Sequence, residues 1–162
     1  RAATASAPPT VASARDAVQM IGTGTLNDIR TLYAQASTVV LPSVGEPFGM
    51  VLTEALASGT PVVGTQSGGI PEIITDSRIG TLYDFCEEDP FGSAERLAEA
   101  ILRSLALNKD PETEMRCRRH AKQWTWKALG GAFLDLQRSA LESGAGRPAT
   151  ASTSTSSMGR SR

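Results

Sequence analysis

VVLPSVGEPFGMVLTEALASGTPVVG, residues 39–64, holds the pattern that decides the fold. Val39–Leu41 is a short, continuous apolar run stopped by Pro42, a residue that cannot donate to a strand ladder. A helix is expected from about Gly49 to Ser58, with Gly59 as its C-terminal cap. Pro61–Gly64 is the next apolar run and reads as a second strand. Strands that are apolar throughout, joined through a helix, describe a parallel sheet covered on both faces. Working outward, the same alternation continues. Upstream, Val18–Ile21 reads as a strand ending in the Gly22–Gly24 turn. Asn27 is placed to cap a helix whose apolar face is Ile29, Leu32, Tyr33 and Ala36. Downstream, Gly68 and Gly69 turn into a short helix from Pro71 to about Thr75, and Gly80–Tyr83 reads as the last strand. Further helices are expected at roughly 93–108, 111–123 and 126–142. The fold class is therefore α/β, a doubly wound parallel sheet. Ligands of such sheets sit beyond the carboxyl ends of the strands, here after Ile21, Leu41, Gly64 and Tyr83.

The rest of the composition excludes several classes. The chain has 162 residues, room for one domain. Residues 1–15 and 143–162 are Ala, Ser, Thr, Pro and Gly with scattered arginines, and are expected to be disordered. Those ends hold five of the 16 basic residues (Arg1, Arg15, Arg147, Arg160, Arg162) and none of the 17 acids. The middle, 16–142, is therefore acidic by six charges, a poor match for nucleic acid. No apolar run reaches the 18 or more residues of a membrane span. Cys86 and Cys117 lie far apart with no CxxC, which argues against a disulfide framework or zinc site and suits a reducing, cytoplasmic location. The chain opens on Arg1 rather than Met, and an upstream portion is expected.

The loop after Leu41 carries the chemistry. A helix N-terminus presents unpaired N–H groups and the positive end of its dipole, so phosphate is the natural guest at Gly49. Glu46 stands at the mouth, where a carboxylate can accept hydrogen bonds from sugar hydroxyls. Glu54 lies two turns into the helix beside apolar Leu52, Ala55 and Leu56, a position that would suit a hydroxyl-rich partner such as ribose. By spacing alone, a capping acid and a solvated helix residue are the better explanation of the two glutamates.

Their surroundings decide. EPFGMVLTEALASGTPVVG (46–64) followed by GGIPEII (68–74) closely resembles the donor-binding segment of family 4 glycosyltransferases, retaining enzymes of the GT-B fold. The resemblance runs from about Val18 to Ala140, with Leu32–Ser43 like the strand leading into the motif and Trp124–Trp126 like the start of the closing helices. It implies a partial Rossmann-like C-terminal domain of a GT-B fold, whose donor is a UDP-, GDP- or ADP-linked sugar, with no separate cofactor and no metal. In that likeness Glu46 holds the donor sugar's hydroxyls and is the catalytic residue, and Glu54 holds the ribose. The N–H groups of Phe48, Gly49 and Met50 face the sugar and diphosphate, with Pro47 and Val51 beside them. Gly22 and Thr23 belong to a turn near the base. Gly68 and Gly69 let the next loop approach, although a tight turn alone would also require them. The implied partner is an N-terminal acceptor domain.

The family's phosphate-binding segment, of the form Gly-Arg-x-x-x-x-Lys-Gly, does not occur in these residues, so the chain by itself is expected not to turn over a donor. The competing function is a non-catalytic nucleotide-sugar-binding remnant or interaction module; a GT-B epimerase fits Glu46–Gly49 less well. Other features are expected to be structural. Gly22-x-Gly24-x-x-Asn27 lacks the third glycine of a dinucleotide fingerprint. The acids of 84–90 around Cys86 read as a solvated loop. Arg116, Arg118, Arg119, His120 and Lys122 read as the exposed side of a helix. At least one of Trp124 and Trp126 is expected to pack in the core.

Overall fold

The computed structural model describes residues 17–143. The low-complexity assignments at 1–15 and beyond Ser143 lie outside the described residues. Three short strands form one parallel sheet in the order β1-β2-β3: β1 Val39–Leu41, β2 Val62–Thr65 and β3 Gly80–Tyr83. Val40 is opposite Val63, and Val63 opposite Thr81, so the strands run in step. The helices of the first unit are α1 Leu26–Gln35, α2 Met50–Ala57, α3 Ile70–Ile73, α4 Pro90–Leu105 and α5 Pro111–Ala121. A second compact unit begins at Lys122, with a 3-10 turn through Trp124 and the helix α6 Trp126–Glu142.

Successive strand residues point to opposite faces, and β2 shows both faces covered. Val63 packs with Tyr83 and with Leu97, Ala100 and Ile101 of α4. A Cβ on its neighbour Gly64 would meet Ile70 and Leu52, from α3 and α2. Ser93, Leu97, Ala100, Ile101 and Ser104 recur at helical spacing on α4, which is why that helix lies along the sheet. On the other side Leu52, Leu56, Ile70 and Ile73 are fully buried, each contributing roughly 1.5–3 kcal/mol of transfer free energy. The sheet is thus doubly wound, as the apolar strands require.

Local chemistry sets the ends of the elements. Gly59 is left-handed, with φ +88, at the end of α2. The Gly59 N–H donates to Leu56 O and the Thr60 N–H to Ala55 O, closing the helix as a Schellman motif. Two expectations are corrected. The cap of α1 is Thr25, not Asn27, because Asp28 returns a bond to the Thr25 N–H at 2.8 Å while the Thr25 hydroxyl accepts from the Asp28 N–H. Such reciprocity outweighs a single capping side chain. Val18–Ile21 is not a strand: no described strand pairs with it, and an unpaired strand leaves its N–H and C=O groups to water. Those residues are exposed.

In the second unit, no residue of α6 is buried. Of the two tryptophans, Trp126 is 85% exposed and does not pack in a core, while Trp124 is half-buried. No helix among the described residues is long and apolar enough to cross a membrane.

Candidate functional site

Parallel strands deliver their carboxyl ends to one edge, so the loops after β1 and β2 meet there. The Gly45 N–H donates to Ser67 Oγ at 3.0 Å, and the Gly69 N–H donates to Glu46 O at 2.8 Å. Thr65 Oγ1 donates to Ser43 O. The contact is closer than a side chain would permit: a Cβ on Gly68 would lie 2.2 Å from Glu46 O, and one on Gly69 2.4 Å from Pro47 O. Both glycines are therefore required by loop apposition, in addition to the turn that gives Gly68 its φ of +59.

This apposition holds the start of α2. Gly49, at φ +94, is its N-cap residue and is buried against Leu41 and Ile73. Its N–H donates to Glu46 Oε1 at 3.1 Å, so the half-buried Glu46 carboxylate occupies the place an anion would take. Helix geometry leaves the N–H groups of Met50 and Val51 without an intrahelical partner. No acid stands in the first turn of α2, and the chain has no Lys or Arg between Arg30 and Arg78. Pro47 and Met50 are exposed and Phe48 is half-buried. The structure brings Glu46, Pro47, Phe48, Gly49, Met50 and Val51 together as one mouth.

Glu54 sits elsewhere. It is five residues beyond Gly49, about 7.5 Å along the axis at 1.5 Å per residue, on the side of α2 that faces α1. There it lines a groove of about 640 Å³ with Leu26, Arg30, Tyr33 and Arg118. Its Oε2 accepts a hydrogen bond from the Tyr33 hydroxyl at 3.2 Å. The Tyr33 phenol is pushed up by burial, then by the Glu54 charge and the hydrogen bond to it. Arg118 is committed to Glu114 at 2.9 Å and to Ser58 O at 3.2 Å. The sequence alone places Tyr33 on the apolar face of α1; its hydroxyl gives no signal without the partner 21 positions on. Gly22 and Thr23 are exposed ahead of α1, and a Cβ on Gly22, at φ +71, would meet nothing within 4 Å. Neither Gly22 nor Thr23 borders the groove, whereas Leu26, just beyond that turn, does.

The other candidates have structural places. Asp89 caps α4 by accepting from the Gly92 N–H, and Glu88 accepts from Cys86 Sγ. Arg116 pairs with Glu112 and Arg118 with Glu114 along α5. His120 Nε2–H donates to Ile73 O at 2.8 Å, tying α5 to α3.

A helix opening with free N–H groups, a carboxylate across it and a second carboxylate down a groove can hold an anion flanked by hydroxyl-bearing groups. Comparison with known proteins places the chain in a family. The alpha-maltose-1-phosphate synthase of Mycobacterium tuberculosis is 36% identical over 119 residues, 70% of this chain and 30% of that protein. The corresponding enzyme of Mycolicibacterium smegmatis is 35% identical over 116 residues, 68% of this chain and 29% of its own. The D-inositol 3-phosphate glycosyltransferase of Saccharomonospora viridis is 34% identical over 116 residues, 70% of this chain and 25% of that protein. The chain thus spans less than a third of the length of these relatives. Residues 11–124, most of the chain, match the family described as Glycosyl transferases group 1, and the chain belongs to that family of enzymes.

Proposed function

We propose that this chain is the donor-holding part of a retaining glycosyltransferase that moves a hexose from a UDP-, GDP- or ADP-linked sugar to an acceptor bound on another domain. The observation that carries the reading is the mouth of α2, where Glu46 faces a helix opening with unpaired N–H groups. The diphosphate lies against the N–H groups of Phe48, Gly49, Met50 and Val51, with Pro47 shaping the loop. Glu46 exchanges its bond to the Gly49 N–H for the hydroxyls of the sugar and is the residue nearest the reacting carbon. Glu54 accepts from the ribose, and the Gly22–Thr23 turn lies toward the base. Neither a metal nor a separate cofactor is required in this reading.

The same reading assigns these residues binding without turnover. A leaving diphosphate must be neutralised as its bond to the sugar breaks. The α2 dipole supplies about 0.3–1 kcal/mol, or ~2 when partly buried, and no Lys or Arg stands between Arg30 and Arg78 to add to it. Calorimetric titration with ADP-, GDP- and UDP-glucose tests the reading. One of the three is expected to bind, and Glu46→Ala and Glu54→Ala are each expected to weaken it roughly 10- to 100-fold, the range for a hydrogen bond to a charged group. Unchanged affinity in both variants would sink the site, and release of nucleoside diphosphate by the 162 residues alone would refute the absence of turnover.

A further inference from the structure

We propose that Tyr33 is a positioning residue for Glu54, holding one carboxylate oxygen so that the other is presented to the ribose. The proposal rests on the reading of Glu54 as the ribose acceptor. Glu54 is exposed, and a glutamate on a helix surface ordinarily spends its side-chain freedom among several rotamers. Here the Tyr33 hydroxyl donates to Oε2 at 3.2 Å, which leaves Oε1 able to accept from a ligand.

Tyr33 is itself fixed from behind. Its carbonyl oxygen accepts from Thr60 Oγ1, two residues ahead of β2, and from Lys109 Nζ, in the link between α4 and α5. The ring is half-buried. The aromatic side chain therefore stands on a backbone held from two directions, and its hydroxyl is the one part that reaches across the groove between α1 and α2. A ring needed only for packing would not require that oxygen. Arg30, on the same groove wall, has no ion pair among the described residues and leaves the Glu54 charge to Tyr33 and the ligand.

The experiment measures binding of ADP, GDP and UDP and of their 2′,3′-dideoxy counterparts to the unsubstituted protein, Tyr33→Phe, Glu54→Ala and the double variant. Tyr33→Phe keeps the ring and removes the oxygen. It is expected to raise the dissociation constant of the ribonucleotide roughly three- to tenfold and to leave the dideoxynucleotide unmoved. On top of Glu54→Ala it is expected to add nothing, because the two act as one unit. Equal loss for both nucleotide types would show a packing role and overturn the proposal. If Glu54→Ala weakens the ribonucleotide and Tyr33→Phe does not, the proposal falls and the Glu54 reading stands. If Glu54→Ala has no effect, or no nucleotide binds the unsubstituted protein, that reading falls and takes the proposal with it. A ligand-free check follows the absorbance of the phenolates, of which the chain has two, Tyr33 and Tyr83. Glu54→Gln is expected to lower the pH at which one of them ionises; two unmoved titrations would mean that the bond is not made in solution.

Discussion

At the scale of single residues, two glycines of one conformation separate strain from collision. Gly45 and Gly68 are both left-handed, at φ +70 and +59. A Cβ on Gly45 meets nothing within 4 Å, whereas one on Gly68 meets the Glu46 carbonyl oxygen at 2.2 Å. Gly45→Ala is therefore expected to cost about 1 kcal/mol for left-handed backbone alone. Gly68→Ala carries that cost and a displaced loop besides, and is expected to lose at least ~2 kcal/mol more in urea unfolding. Equal losses would mean that the two loops are not in contact. Cys117 supplies a pH-dependent counterpart. Burial pushes its thiol from 9.0 up to about 11. The unfolded chain then loses this proton before the folded chain does, so stability is full below pH 9 and falls as the pH rises toward 11. The cost approaches about 2–3 kcal/mol at the upper end. Cys117→Ala is expected to flatten that part of the stability profile, although Tyr33 and Tyr83, also raised, keep some slope above pH 10.

At the scale of elements, α1 stands out because it buries none of its residues and depends on its ends. Thr25 and Asp28 close its N-terminus. Lys109 closes its C-terminus, donating to the carbonyl oxygens of Tyr33, Ala34 and Ala36 where the helix dipole favours a cation. Thr25→Ala and Lys109→Met are each expected to lower stability by about 1 kcal/mol in thermal or urea unfolding, the scale of a lost cap. The ends of α1 also show what the sequence could convey. The Thr25-x-x-Asp28 pair is a local pattern, legible without the structure, and Asn27 drew the reading only because it too is a capping residue. Lys109 lies 75 residues from Ala34, and no local pattern could reveal it. The three paired strands were legible because apolar runs between turn residues need only their own composition. Val18–Ile21 has the same composition and failed as a strand, since pairing is a property of two segments. Among the site residues, Glu46 through Val51 came together because they are consecutive; Glu54 was separated from them by the side of the helix it occupies.

At the scale of the whole molecule, burial is uneven. All four residues of β2 are buried, while none of the 17 residues of α6 is, and α6 carries Gly130 and Gly131 in its interior at a cost of about 1 kcal/mol each. Amide hydrogen exchange is accordingly expected to be slowest across Val62–Thr65 and at least ~100-fold faster along α6. Comparable protection in the two would show that α6 is covered in solution. The close approach of the two loops at the site has a further consequence, in the history of the sequence rather than its energetics. The carbonyl oxygens of Glu46 and Pro47 lie where Gly68 and Gly69 would carry side chains, so neither segment can drift alone. Among descendants of this chain, substitutions that move the backbone at 45–48 should survive only alongside compensating changes at 66–69. The two stretches would be inherited as one unit, although twenty or so residues of helix and strand separate them in the gene.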